Sequence, residues 1–128
     1  MSITEASKPA SRVAAPTAHV GAVGLAVRDL DRVVTFYRDA IGLEVIAEEG
    51  DRALLGASGA TLLELREDKS LAVDDPRQAG LFHTAFLLPS RAALGGWLRH
   101  AAQAGVPLEG ASDHIVSEAI YLSDPEGN

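Results

Sequence analysis

Apolar residues recur along this chain at two different periods, and the switches between them divide it into elements. From His19 to Val27 the alternation is strand-like: Val23, Leu25 and Val27 share one face, and the small residues Ala22, Gly24 and Ala26 share the other. The period then lengthens. Val33, Phe36, Tyr37, Ala40 and Ile41 form the stripe of an amphipathic helix, with Asp29 or Asp31 to cap its start and Gly42 to end it. Three short strands follow, Leu43 to Ala47, Arg52 to Gly56 and Ala60 to Arg66, joined by turn residues at 48–51 and 57–59. In the last of them Leu63 and Leu65 face one way, and Leu62 and Glu64 the other. A polar connection containing Pro76 leads to the apolar run Gly80 to Leu88. This run reads as a buried strand with Leu81, His83 and Ala85 on one face and Phe82, Thr84, Phe86 and Leu88 on the other. Ser90 then caps a second helix, striped by Leu94, Trp97, Leu98 and Ala101 and ended by Gly105, with Trp97 expected in the core. Glu109 to Asp113 reads as a turn, His114 to Val116 and Glu118 to Ser123 as strands, and Asp124 to Asn128 as a further turn.

The two halves repeat one another. Each runs strand, capped helix ended by glycine, then short strands, which is a βαβββ unit used twice. Gly21 to Val27 lies over Gly80 to Phe86, so that Gly24 takes the place of His83. Ser58-Gly-Ala60 lies over Glu126-Gly-Asn128, and the counterpart of Glu64 falls beyond Asn128. The expected architecture is therefore α+β: two βαβββ modules forming a curved mixed sheet around a central cleft, with the last strand missing. Residues 18–128 form the domain, as repeats over 18–67 and 80–128, and the Ala-, Ser- and Pro-rich residues 1–17 form a flexible tail. An absent eighth strand is expected to expose a sheet edge and to bring homodimerisation, strand exchange or reduced stability.

Composition narrows the function. The 128 residues carry a net charge of -7 with no cationic cluster, which speaks against nucleic acid or an anionic membrane as partner. There is no cysteine, which removes thiolate nucleophiles and zinc-thiolate sites. No spanning or signal segment is apparent, and the cytoplasm is the default compartment. The chemistry that remains lies in His83, Glu64, His114 and Tyr121. His83 and Glu64 are an imidazole and a carboxylate on different strands, both turned toward the cleft, and a divalent metal takes such ligands. His114 can move a proton or hydrogen-bond, and the Tyr121 phenol can orient a substrate oxygen.

Two stretches make the pattern specific: Val27-Arg-Asp-Leu30 with Phe36-Tyr-Arg-Asp-Ala-Ile-Gly-Leu43, and Tyr121-Leu-Ser-Asp-Pro-Glu-Gly-Asn128. Through them the chain, from about Val20 to its end, resembles the vicinal-oxygen-chelate superfamily of glyoxalase I, fosfomycin and bleomycin resistance proteins and extradiol dioxygenases. It looks most like the first module of the two-module catechol-2,3-dioxygenase branch. The resemblance implies iron(II) or manganese as cofactor, with His83 as the fifth-strand ligand and Glu64 matching the fourth-strand ligand of glyoxalase I. The first-strand ligand position holds Gly24, so the metal site is incomplete. An extradiol dioxygenase-like module acting on an aromatic diol is the first expectation. A metal-free small-molecule-binding protein of the bleomycin-resistance kind and a glyoxalase-like lyase or isomerase are the alternatives.

Overall fold

The computed structural model describes residues 21–73, 83–113, 115 and 117–128. The tail expected at 1–17 lies outside them, as do His19 and His114.

The first half forms the elements its pattern predicts. Strand β1 (Val23–Val27) is followed by helix α1 (Leu30–Phe36), a π-helical turn (Tyr37–Ile41) and strands β2 (Glu44–Glu49), β3 (Arg52–Ala57) and β4 (Ala60–Glu67). The strands make one mixed sheet in the order β1-β4-β3-β2, with β1 parallel to β4 and the other pairs antiparallel. The apolar strand face meets the apolar helix stripe. Val27, Leu55, Leu63 and Leu65 are fully buried, with Leu30, Val33, Val34 and Tyr37 packed over them. Burying each such leucine or valine contributes about 1.5–3 kcal/mol. A bulge between Val45 and Ala47 turns Ile46 out of this layer, leaving it 42% exposed.

Helix α1 starts where Asp29 accepts a hydrogen bond from the Arg32 amide at 3.1 Å. It ends in a wide turn: the amides of Gly42 and Leu43 both donate to the Tyr37 carbonyl, and Gly42 takes the left-handed φ of 94°. The widened turn leaves the carbonyls of Asp39 and Ala40 available to another element.

That element is α2 (Arg91–Ala104), capped by Ser90 and ended by Gly105 at φ 67°. The Trp97 indole N–H donates to the Ala40 carbonyl at 3.0 Å, and a ring nitrogen of His100 lies 2.7 Å from the Asp39 carbonyl. Trp97 is thus half-buried rather than in the core. Its polar edge has an acceptor only where α2 crosses the π-helical turn, and that crossing keeps the ring off the main sheet.

Two further expectations shift. The turn expected at Glu109 to Asp113 is instead strand β5 (Gly110–Asp113), which pairs antiparallel with β6 (Glu118–Tyr121) as a separate two-stranded sheet, while of the strand expected at 114–116 only Ile115 is among the described residues. After β5 the Asp113 carboxylate accepts from the Ile115 amide, and Ile115 takes a positive φ of 71°. The expected strand at 80–88 is described only from His83 onward. It keeps strand-like alternation, with Thr84 and Phe86 half-buried and His83 and Ala85 exposed, and its residues 84–88 join no ladder among the described residues. In the first half the equivalent strand, β1, pairs with β4. Among the described residues the second half has no strand in the place of β4. None of the described helices is long and apolar enough to cross a membrane.

The turn at Asp124–Asn128 docks back on the first half. The Glu126 carboxylate accepts from the amides of Arg28 and Asp29 at 2.8–2.9 Å, just ahead of α1. Asp124 is buried and accepts from the Glu126 and Asn128 amides and from the Asn128 side chain.

Candidate functional site

Segment 83–88, α2 and β6 enclose a cavity of about 870 Å³. His83, Thr84, Phe86, Trp97 and Tyr121 line it, together with the charged pair Arg91 and Glu118, whose closest atoms are 2.8 Å apart. The walls combine aromatic and aliphatic side chains with the polar groups of Thr84, Ser90, Arg91, Asp113 and Glu118, and such a mixture can hold and orient a small molecule. Phe86 turns inward by the strand-like alternation. It meets the Tyr37 ring edge-on, with centroids 6.1 Å apart.

Tyr37 in turn donates its phenol proton to Asp124 at 3.1 Å. Burial, and then the neighbouring Asp124 charge, push the Tyr37 pKa above its ordinary value, so this phenol stays protonated and serves as a fixed donor. The cavity wall therefore rests on a residue of the first half that the terminal turn holds in place.

Of the residues singled out from sequence, His83 and Tyr121 come together in this cavity, both solvent-accessible. Glu64 does not line it. It lies on β4 in register with Gly24 of β1, and its carboxylate is ion-paired with Arg52 of β3. Apart from its chain neighbours, no atom of the described residues lies within 4 Å of where a side chain at Gly24 would begin. His114 lies outside the described residues.

Among the described residues no group of three or more His, Cys, Asp or Glu is placed to hold a metal ion. On their own, these residues do not fit the divalent metal that the resemblance implies. Sequence reasoning missed Thr84 and Phe86 as walls of the site, although the alternation through His83 predicted their facing. It also missed the pairing of Arg91 with Glu118, for which the chain carries no local signal.

Comparison with known proteins agrees with this fold. The sequence model described as "Glyoxalase/Bleomycin resistance protein/Dioxygenase superfamily" matches residues 18–128. A catechol-2,3-dioxygenase of Bacillus subtilis (strain 168) is 41% identical over 112 residues, covering 86% of this chain and 39% of that protein. The chain thus spans well under half the length of that relative. A lactoylglutathione lyase from Agrobacterium tumefaciens superposes with a TM-score of 0.69 at 24% identity, covering 88% of this chain and 90% of that one. A glyoxylase/bleomycin resistance protein/dioxygenase domain from Frankia sp. EAN1pec superposes with a TM-score of 0.68 at 21% identity, covering 86% of each chain.

Proposed function

Since this chain belongs to the glyoxalase/bleomycin resistance protein/dioxygenase superfamily, we propose that it is an extradiol dioxygenase-like module that binds an aromatic diol in the cavity beside His83. The observation that carries this reading is the identity with a catechol-2,3-dioxygenase over most of the chain. In this proposal residues 18–128 act as one domain of two repeats, 18–67 and 80–128, behind a tail at 1–17, in a cytoplasmic homodimer. Phe86 and Trp97 offer a flat aromatic wall to a substrate ring. Tyr121 donates to a substrate oxygen, and His83 accepts a proton or serves as one ligand of an iron(II) or manganese ion. His114 is proposed as a further proton-transfer group. Glu64 serves as a metal ligand only if it leaves Arg52, and a working centre needs ligands besides these two.

The size of the cavity and its aromatic and aliphatic side chains also favour a second reading, a module that holds a bulky ligand without metal. Elemental analysis of protein purified without chelators separates the two. The dioxygenase-like reading expects iron or manganese near stoichiometry, lost in His83→Ala with the fold intact, and oxygen uptake with catechol. Metal-free protein that binds catechol or larger aromatics equally well before and after His83→Ala overturns it in favour of the second.

A further inference from the structure

Glu64 stands among neighbours that cannot share a cation with it. Paired residues carry their side chains on the same face of a sheet, so the register fixes every position around this carboxylate. Its partner on β1 is Gly24, and its partner on β3 is Leu54. Along β4 the same face continues with Leu62 on one side and Arg66 on the other. None of these four offers a carboxylate or an imidazole. Arg66 is paired with Arg52, so two cationic residues flank the position of Glu64. Arg52 reaches diagonally to ion-pair with Glu64, while Arg66 lies 3.7 Å from Asp51.

Magnitudes decide what the Arg52–Glu64 pair does. The Arg52 side chain is 55% exposed and that of Glu64 39%, so the pair contributes little to stability. Its effect on a third charge is larger. A divalent cation drawn to Glu64 would come within about 5 Å of a guanidinium on the same carboxylate, and even in the dielectric of water that repulsion weakens binding about tenfold. Such a cation also needs further ligands, and the four neighbouring positions supply none. At Gly24 this is not for want of room, because the described residues leave space there for a side chain.

We propose that Arg52 is a metal-excluding residue. Its guanidinium is the permanent counter-ion of Glu64, and it keeps the face shared by β1, β4 and β3 free of divalent cations. Glu64 then anchors Arg52 and is not a ligand. The inference concerns this carboxylate alone. It rests on register and ion pairing and goes beyond the diol reading, whose metal test turns on His83.

The test uses the whole chain carrying His83→Ala, so that a cation held through His83 does not count, and reads zinc binding by calorimetry. Gly24→His adds an imidazole about 4.8 Å from Glu64, the spacing of neighbouring strands. With Arg52 in place this variant is expected to bind zinc no more tightly than its parent. Adding Arg52→Gln is expected to tighten binding at least about tenfold, and adding Glu64→Gln to that variant is expected to abolish the gain. Arg52→Lys in place of Arg52→Gln keeps the positive charge and is expected to keep zinc out, which separates charge from a disturbed fold. The inference is overturned if Gly24→His gives the same zinc affinity, tight or absent, with and without Arg52→Gln. It is also overturned if the gain survives Glu64→Gln, or if Arg52→Lys tightens binding as much as Arg52→Gln.

Discussion

The Tyr37 hydroxyl donates to the buried carboxylate of Asp124 across 3.1 Å, joining the end of α1 to the terminal turn 87 residues away. Asp124 also collects two backbone amides and the Asn128 side chain, so one carboxylate satisfies four donors. Removing it orphans all of them. Asp124→Ala is expected to cost about 3 kcal/mol in urea unfolding. Tyr37→Phe keeps the ring and the Phe86 contact, and is expected to cost about 1–2 kcal/mol. Equal stability of all three proteins would show that the turn does not hold the halves together.

The same pair sets an alkaline limit. Burial and Asp124 raise the folded pKa of Tyr37 above its ordinary 10.0. The folded state thus holds this proton more tightly than the unfolded chain. The stability it brings is complete below about pH 10 and is lost as pH climbs toward the raised value. Unfolding midpoints measured from pH 8 to 12 should fall above pH 10, and the fall should be shallower in Tyr37→Phe.

Glu126 tests the clip from its other side. Glu126→Gln keeps the length of the side chain but removes the charge that accepts from the Arg28 and Asp29 amides. A loss of about 0.5–2 kcal/mol is expected, with faster amide exchange at residues 28 and 29. Unchanged exchange there would show that the contact carries no stability.

Two glycines should respond in opposite ways. A methyl at Gly56 would lie 1.8 Å from the Ala60 carbonyl oxygen, inside the β3–β4 bulge. Gly56→Ala should cost about 3 kcal/mol, because backbone must move to admit it. At Gly24 the same methyl meets no atom of the described residues within 4 Å beyond its chain neighbours, and Gly24→Ala should gain about 0.5 kcal/mol from the stiffer unfolded chain. Thermal or urea midpoints decide both.

Trp97 anchors α2 through one hydrogen bond. Trp97→Phe keeps an aromatic wall but leaves the Ala40 carbonyl without its donor. A cost of about 1–2 kcal/mol is expected, with the far-ultraviolet signal of the fold retained.

Much of the fold was legible in the chain. The alternation of Leu63 and Leu65 against Leu62 and Glu64 gave β4 and its buried face, and Asp29, Gly42, Ser90 and Gly105 gave the helix ends. The match of Gly21–Val27 with Gly80–Phe86 gave the facing of His83. These features depend on residues within a few positions of one another, so periodicity and capping chemistry determine them by themselves. Tertiary structure decided the rest: that Arg52 holds Glu64, that Trp97 serves Ala40 instead of the core, and that Glu126 of the last turn accepts from the amides just ahead of α1. Each depends on which distant group meets an unsatisfied donor, acceptor or strand edge, and a linear pattern carries the need for a partner without its identity.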